Sequence, residues 1–278
     1  MRWGVLAALC GLGAAAVSAV APPSASLRFV RSGAPERVVT LDELQAHCAV
    51  QTVVVDPDPY YQRRKTYRAC PLADVLTFGF ATTLEALRGE QFLLRALDGY
   101  AKPASGAVLT EPGGYLAFAD AEHAGWEPID RKQLDPGPFY VVWTVPGADG
   151  ERYPWPYQLS TIEITSVAQA FPHTVPRGVA PGSPAQIGSD IFSHQCIACH
   201  AINGEGGHVG PDLNIPQSIV EYRPAAQIKA YIRDPATFRY TSMPPHPGLD
   251  DAQLEALVAY FTAMRAQKHD PNRPEPAP

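Results

Sequence analysis

Short apolar runs separated by turn residues dominate the chain from residue 27 to about residue 166. They are rich in β-branched and aromatic residues and are bounded by Pro, Gly or Asp, which is the pattern of β-strands. The runs are Thr52–Val55, Phe92–Leu97, Phe139–Val145 and Leu159–Thr165. Two segments that begin at Thr40 and Thr82 have the form of capping boxes, which start helices. Strands and helices mix without regular alternation, so the pattern predicts a β-rich α+β domain over residues 27–166.

The pattern changes after that domain. Residues 167–184 contain four prolines and two glycines without periodicity, which predicts an extended linker. Residues 185–266 begin and end in helical patterns, and the last of these, Leu249–Met264, places its apolar residues on one helix face. Residues 267–278 are rich in proline and predict a disordered tail. The chain is therefore expected to form two domains, an α+β domain followed by an all-α domain.

The first 26 residues have the character of a secretory signal. Arg2 precedes an apolar run that ends near Val17, and the small residues after it offer Ala19 or Ala21 as cleavage points. The run is shorter than the roughly 20 apolar residues of a spanning helix. We therefore expect a signal peptide over residues 1–21, with its boundary between 19 and 26. The mature protein is expected to be periplasmic, exported and without a membrane span.

Composition and charge exclude some functions. Hydrophobic residues make up 46% of the chain and charged residues 18%, which is ordinary for a globular protein. The formal net charge is −6, which argues against nucleic acid as a partner. Residues 63–65, Arg-Arg-Lys, are interpreted as a solvated face. Residues 56–61 are interpreted as a rigid surface loop rather than a metal site, and residues 98–100 as a turn.

The five cysteines divide by position. Cys10 lies in the signal segment, Cys48 and Cys70 lie in the first domain, and Cys196 and Cys199 form a close pair. An oxidising compartment permits a disulfide between Cys48 and Cys70. A buried pair of free thiols is an equal alternative, because the sequence does not give the distance between them.

Cys196 and Cys199 belong to a C-x-x-C-H motif that ends at His200. Thiols at positions i and i+3 lie on one face of a helical turn, where they form thioethers with the two vinyl groups of a haem, and the His presents its imidazole to the iron. One alternative is a thioredoxin-like redox pair, which needs a βαβ context. The other is half of a zinc site, which needs two further ligands. We therefore expect one covalently bound haem c, with His200 as a metal ligand.

A haem iron with one axial His can bind a second protein ligand. The downstream residues able to serve are His208, Met243, His246, Met264 and His269. Met243 is favoured because the two prolines after it stiffen its loop. Met264 falls on the apolar face of the last predicted helix, where a core role fits better, and His208 lies too near the proximal side. His246 is the main rival and would give a bis-His site.

The order of motifs after residue 185 resembles that of a class I cytochrome c domain, as found in many periplasmic electron carriers. The matching motifs are Gly188 with Phe192, Cys196-x-x-Cys199-His200, Gly204-x-Gly206-Gly207, Gly210-Pro-Asp-Leu213, Tyr231-Ile-Arg-Asp-Pro235, Met243-Pro-Pro and Leu249–Met264. This resemblance covers residues 185–266 and implies the fold and the haem of that family.

The resemblance also implies roles for individual residues. The Pro211 carbonyl would accept a hydrogen bond from Nδ1–H of His200 and orient the ring. Leu213 would pack on the haem face. Gly188 would let the first helix approach the last one closely near Tyr260 or Phe261, because it has no side chain. Either Tyr240 or Thr241 would form a hydrogen bond near Met243.

Four segments of the first domain carry a fainter resemblance to the molybdopterin-binding fold of sulfite-oxidase-like proteins. They are Thr66–Leu76, Leu97–Tyr100, Gly137–Trp143 and Thr161–Thr165. Active members of that family need a cysteine thiolate on molybdenum, and Cys48 and Cys70 lie in the wrong context for this role. The resemblance therefore implies a relative without a cofactor, which serves as a docking or scaffold domain.

The sequence thus predicts a periplasmic c-type cytochrome that transfers single electrons through a His/Met haem c. Its haem-binding residues are expected to be Cys196, Cys199, His200 and Met243, and it is expected not to be an enzyme by itself. Its expected partners are periplasmic redox proteins. One alternative is a haem-containing subunit of a periplasmic oxidoreductase. The other is a domain that accepts electrons from a molybdenum-dependent oxidoreductase domain in the same chain.

Overall fold

The structure is a computed structural model that describes residues 25–32, 34–129, 133–148, 150 and 152–273. The predicted signal peptide lies outside the described residues. The strands are β1 (Ser26–Arg31), β2 (Arg37–Thr40), β3 (Gln51–Asp58), β4 (Arg63–Pro71), β5 (Gln91–Ala96), β6 (Ala101–Ser105), β7 (Gly114–Asp120), β8 (Tyr140–Trp143), β9 (Leu159–Ile164), β10 (Ala201–Ile202) and β11 (Glu205–Gly206). The helices are α1 (Leu41–His47), α2 (Leu72–Phe80), α3 (Leu84–Arg88), α4 (Gly106–Leu109), α5 (Val167–Ala170), α6 (Pro184–Ile191), α7 (Ile219–Tyr222), α8 (Ala225–Arg233) and α9 (Asp251–Arg265). None of the described helices has the length and apolar character of a membrane span.

Two sheets build the N-terminal domain. One has the strand order β2-β1-β9-β5-β6 and the other the order β3-β4-β7-β8. Neighbouring strands are antiparallel except β1 and β9, which are parallel. Apolar side chains from both sheets and from α1, α2 and α3 form one core, which contains Phe29, Tyr67 and Trp143. The α+β fold predicted for this domain is confirmed.

The four predicted apolar runs correspond to β3, β5, β8 and β9. Two further strands lack a clear apolar run, because β4 begins with three cations and β6 contains Pro103. The capping box at Thr40 is confirmed, because Thr40 Oγ1 accepts from the Glu43 amide and the Glu43 carboxylate accepts from the Thr40 amide. The second box is wrong by one residue. Thr83, rather than Thr82, caps α3 by accepting from the Ala86 amide.

The solvated face predicted for residues 63–65 is wrong at its third residue. The Lys65 side chain is fully buried, and its Nζ donates to Asp120 Oδ2 at 2.6 Å and to Glu127 Oε2 at 2.8 Å. Successive side chains of a strand point to opposite faces, so Lys65 lies on the same side of β4 as the buried Tyr67. Its charge is compensated by the two carboxylates.

Asp58 is also buried, although it belongs to the segment interpreted as a surface loop. Its carboxylate accepts from the hydroxyl of Tyr67 at 2.9 Å and from that of Tyr140 at 3.1 Å. The amides of Tyr60 and Tyr61 donate to the other carboxylate oxygen. A buried carboxylate needs such donors because it has lost its hydration. Asp58 therefore joins the end of β3 to β4 and β8.

A disulfide joins Cys48 to Cys70, which decides between the two alternatives left by the sequence. Cys48 ends α1, and Cys70 lies fully buried near the end of β4. The Cα–Cα distance of 5.6 Å is in the usual range for a disulfide. The bond ties the first helix of the domain to the sheet that contains β4.

Helices α6 and α9 cross closely in the C-terminal domain. A Cβ atom at Gly188 would collide with the Ala256 carbonyl oxygen and would lie 2.8 Å from Tyr260 Cβ. This confirms the predicted close approach near Tyr260. The core around the crossing includes Phe192 and Leu257. Apart from the two-residue strands β10 and β11, the described part of this domain has helices and turns, as predicted.

The segments on either side of the C-terminal domain are more ordered than predicted. Within the predicted linker, Val167–Ala170 forms α5, and Phe171 is buried in the core of the C-terminal domain. Within the predicted disordered tail, the ring of His269 stacks on that of His173 with their centroids 3.8 Å apart. Lys268 Nζ also lies 2.6 Å from a carboxylate oxygen of Glu221. Residues 274–278 lie outside the described part of the chain.

The turn between β5 and β6 (residues 97–100) connects the two domains. The His208 amide donates to the Gly99 carbonyl at 2.9 Å, and the Ala101 amide donates to the Ala198 carbonyl at 2.9 Å. Leu93 of β5 and Ala101 of β6 contribute to the core of the C-terminal domain. The N-terminal domain therefore packs directly against the segment that carries the C-x-x-C-H motif.

We expect removal of the disulfide to destabilise the N-terminal domain. The bond joins residues separated by 22 positions, and closing a loop of that length stabilises a fold by about 3 kcal/mol. The double variant Cys48→Ala/Cys70→Ala should lose about this much free energy of unfolding. Urea unfolding followed by tryptophan fluorescence measures it, because Trp126, Trp143 and Trp155 all lie in this domain. A reductant should lower the wild-type midpoint and leave that of the variant unchanged. Equal midpoints for variant and oxidised wild type would contradict the prediction.

Candidate haem-binding site

The C-x-x-C-H motif folds as a continuous tight turn. A π-helical turn spans Phe192–Cys196, after which the amides of Cys199 and His200 both donate to the Cys196 carbonyl, at 3.1 and 2.9 Å. The two thiols are free and half-buried. This arrangement brings both cysteines and the histidine of the motif together on one turn, as their spacing predicts.

The electrostatic environment of the two thiols disfavours redox chemistry by the cysteines themselves. Burial raises the pKa of Cys196 to about 12 and the pKa of Cys199 to about 11. A redox C-x-x-C pair needs the opposite, since its reactive thiol has a lowered pKa that yields a thiolate nucleophile. The surrounding domain also lacks, in its described residues, the βαβ arrangement of a thioredoxin. The site therefore fits attachment of a group through sulfur better than disulfide exchange.

The imidazole of His200 is held in one orientation. Its Nδ1 lies 2.9 Å from the Pro211 carbonyl oxygen, which can only accept, so Nδ1 carries the proton. This contact confirms the role that the sequence resemblance implies for Pro211. Burial lowers the pKa of His200, while the Pro211 carbonyl and Asp212 raise it in part. The ring is thus favoured in its neutral form with Nε2 free to bind a metal.

Glycine is required beside that ring. A Cβ atom at Gly210 would lie 2.7 Å from His200 Nδ1 and closer still to Cε1. The Gly210 amide donates to the Cys199 carbonyl at 2.7 Å, which holds the glycine against the motif. Gly207 packs in the same way, because a Cβ there would collide with the Ala198 carbonyl oxygen. These contacts explain the glycine-rich stretch after the motif.

Met243 lies half-buried against the core of the C-terminal domain, as Cys196 and Leu213 do. Its amide donates to Thr241 Oγ1 at 3.1 Å. Of the two residues expected to form a hydrogen bond near Met243, Thr241 therefore does so, whereas the Tyr240 side chain is fully exposed. Met243 and His200 thus belong to the same helical domain, on segments that are far apart in sequence.

The other residues weighed as iron ligands have different surroundings. Met264 is 1% exposed inside the core, as its helical pattern predicts. His208 is exposed and contacts the turn between β5 and β6 through its amide. His269 stacks on His173. His246 is half-buried, and its amide donates to the Ile232 carbonyl at 3.1 Å.

The donor set fits haem c. Two free thiols on one turn suit thioether bonds, the His200 imidazole offers Nε2, and the Met243 sulfur is of the type that serves as a second axial ligand. Leu213 is partly buried against the same core as Cys196 and Met243. The contact of Leu213 with haem remains a prediction.

Three residues near the motif were not identified from the sequence. In the β5–β6 turn, Asp98 raises the pKa of Cys199, and Cys199 raises the pKa of Tyr100. Lys102 of β6 lowers the pKa of both cysteines. Lys102 is 8% exposed, and its Nζ lies 3.4 Å from the His194 carbonyl oxygen. No sequence signal links residues about a hundred positions apart, so only the fold reveals this contact.

A second cluster of ligand-type side chains lies in the N-terminal domain. Among the described residues, Asp120, His123 and Glu127 offer ligand atoms within 4.8 Å of one another. The Lys65 ammonium donates to both Asp120 and Glu127, and the Arg63 guanidinium also donates to Glu127, so two cations of the chain itself balance the two carboxylates. The acidic residues of segment 56–61 do not belong to it.

Comparisons with known proteins agree with the chemistry of the C-terminal domain. The Cytochrome c family model matches residues 185–264. The chain is 30% identical over 91 residues to "Cytochrome c oxidase subunit 2" of Alkalihalophilus pseudofirmus, which covers 30% of this chain and 27% of the relative. It is 38% identical over 79 residues to "Lupanine 17-hydroxylase (cytochrome c)" of a Pseudomonas species, covering 28% of this chain and 11% of the relative. The chain thus spans less than a third of either relative.

A solved structure, the sulfane dehydrogenase SoxCD from Paracoccus pantotrophus, is similar over 50% of this chain and 38% of that chain. The TM-score is 0.35 and the identity 17%. This similarity is too weak to identify the fold of the N-terminal domain. For the C-terminal domain, the family match coincides with the turn that carries the two cysteines and His200. Residues 185–264 are therefore a class I cytochrome c domain, which follows a β-rich α+β domain in this chain.

Proposed function

We propose that this protein is an exported electron carrier that passes single electrons through one haem c bound by Cys196, Cys199, His200 and Met243. The observation that carries the proposal is the geometry of the motif. Both cysteines are free on one turn, and the His200 ring is oriented by Pro211 with Nε2 available. A cytochrome c domain has a haem c electron-transfer role, and bound haem c supplies a one-electron couple there.

Each residue of the site has a defined task in this proposal. Cys196 and Cys199 would hold the haem through thioether bonds, and His200 Nε2 would bind its iron. The Met243 sulfur would also bind the iron, and a substrate would then have no position to bind there. Such a site favours outer-sphere electron transfer over substrate chemistry. Export, the single-electron step and the count of one haem are parts of the same proposal.

For the N-terminal domain we propose a docking or scaffold role rather than a molybdenum site. Cys48 and Cys70 are the cysteines of this domain, and the disulfide between them leaves neither with a thiolate to offer a metal. The domain also packs directly on the haem-binding segment through the β5–β6 turn. It is therefore placed to bring a redox partner close to the cytochrome domain.

The names of the two relatives support a second candidate function. One is named as an oxidase subunit and the other as a hydroxylase with a cytochrome c. In both, the matched segment is a minor part of a larger redox protein. By analogy, the second candidate function is that of the haem-containing subunit of an exported oxidoreductase. Co-purification of the native protein with a catalytic subunit would favour this alternative over a free carrier.

We expect Met243→Ala to abolish the absorption band of the Met–iron bond and to lower the reduction potential, because a Met ligand raises it. Met264→Leu is the matched control, since Met264 lies in the core and a Leu conserves its volume and apolar character. The control should retain the band. His246→Ala should retain it as well. The assignment fails if Met243→Ala keeps the band or if His246→Ala changes the axial ligation.

We expect Gly210→Ala to destabilise the cytochrome domain by about 1–3 kcal/mol, because the added methyl group overlaps the His200 ring. Gly248→Ala is the matched control, since a Cβ at that position would meet nothing within 4 Å. It should change the free energy of unfolding by less than about 0.5 kcal/mol. Urea unfolding followed by haem absorbance measures both. Similar effects of the two variants would contradict the role assigned to Gly210.

A further inference from the structure

The β5–β6 turn and the start of β6 form a fixed wall beside the haem-binding cysteines. Two backbone hydrogen bonds, from His208 to Gly99 and from Ala101 to Ala198, bracket Tyr100. Gly99 has a φ of +90°, and a Cβ atom on it would lie 3.1 Å from His208 Cβ. The Asp98 carboxylate accepts from the Tyr100 amide at 2.9 Å, which fixes the turn. The N-terminal domain is thus held close to the motif by its backbone as well as by side chains.

This wall carries two opposite charges. Lys102 is 8% exposed, and its Nζ donates to the carbonyl of His194, two residues before Cys196. Asp98 lies in the turn whose next residue, Gly99, accepts from the His208 amide. The ammonium therefore lies at the segment before the motif, and the carboxylate lies in a turn that contacts the segment after it.

Backbone contacts place both charged residues next to the haem-binding segment. Lys102 follows Ala101, whose amide donates to the Ala198 carbonyl, and Asp98 precedes Gly99, whose carbonyl accepts from the His208 amide. Two charges of the N-terminal domain therefore lie close to the segment to which a haem would be attached.

Reduction of a haem iron adds one negative charge to the site. A nearby cation stabilises the reduced state and a nearby anion destabilises it, and both effects are larger where water is excluded. The net charge and the burial of a redox centre are established determinants of its potential. Asp190 lines the same cleft as Lys102 and offsets part of its field. The expected effects are therefore moderate.

We propose that Lys102 and Asp98 of the N-terminal domain set the reduction potential of the haem in the C-terminal domain, Lys102 by raising it and Asp98 by lowering it. This inference rests on the proposed function, since it requires a haem on Cys196 and Cys199. It gives the N-terminal domain a second role, in which it tunes the cytochrome domain as well as docking a partner. Both residues act on the haem through the field and do not touch a substrate.

The test is spectroelectrochemical titration of the full-length protein and its variants. Lys102→Met keeps the apolar stem of the side chain and removes the charge, and it should lower the equilibrium constant for reduction by about threefold. That is about 28 mV by the one-electron relation of 59 mV per tenfold change. Asp98→Asn keeps an oxygen that accepts from the Tyr100 amide, and it should shift the potential in the opposite direction.

Controls separate this field effect from general changes. Arg28→Gln removes an exposed cation that pairs with Glu36 in the same domain, and it should leave the potential unchanged because solvent screens that site. Lys102→Gln provides a second neutral variant if Lys102→Met fails to fold. Retention of the Met–iron band shows that the axial ligands are intact in each variant.

Opposite shifts for the Lys102 and Asp98 variants support the inference. Shifts of the same sign, or shifts no larger than that of Arg28→Gln, overturn it while leaving the proposed function intact. A wild-type protein that is exported without haem overturns the proposed function and the inference together. The two failures are therefore distinguishable by the absorption spectrum of the wild type.

Discussion

The hydrogen bond between His200 Nδ1 and the Pro211 carbonyl is the contact on which the haem site depends. It requires the chain to return to the motif within eleven residues. Two backbone hydrogen bonds hold the returning segment there: the Gly210 amide donates to the Cys199 carbonyl at 2.7 Å, and the Leu213 amide donates to the Ala201 carbonyl at 2.9 Å. A side chain at position 210 would displace the ring. With Nδ1 engaged in this bond, Nε2 is the ring nitrogen left to bind a metal.

Much of this site could be predicted because its signals are local in sequence. The spacing of Cys196, Cys199 and His200 specifies attachment chemistry, and the motifs that follow specify the fold of the cytochrome domain. The capping box at Thr40 is also local, and the structure contains it. Gly188 was placed at a helix crossing from family resemblance, and its missing side chain does allow the close approach to Ala256.

Contacts between distant residues could not be predicted in the same way. The run of three cations predicts a solvated Lys65, yet strand alternation buries it against Asp120, which lies 55 positions away. Asp58 is buried because two tyrosine hydroxyls from other strands donate to it. The placement of Lys102 beside the cysteines likewise depends on how the two domains pack. These positions combine a polar residue with partners that no local pattern reveals.

The central claim is that Cys196 and Cys199 hold a haem covalently. Peptide mapping of the denatured, exported protein tests it most directly, because only a covalent group survives denaturation. Trypsin should release a single peptide that spans residues 178–229 and contains both cysteines. We expect this peptide to carry one haem and to have no free thiol. Loss of haem on denaturation, or recovery of the peptide with two free thiols, would contradict it.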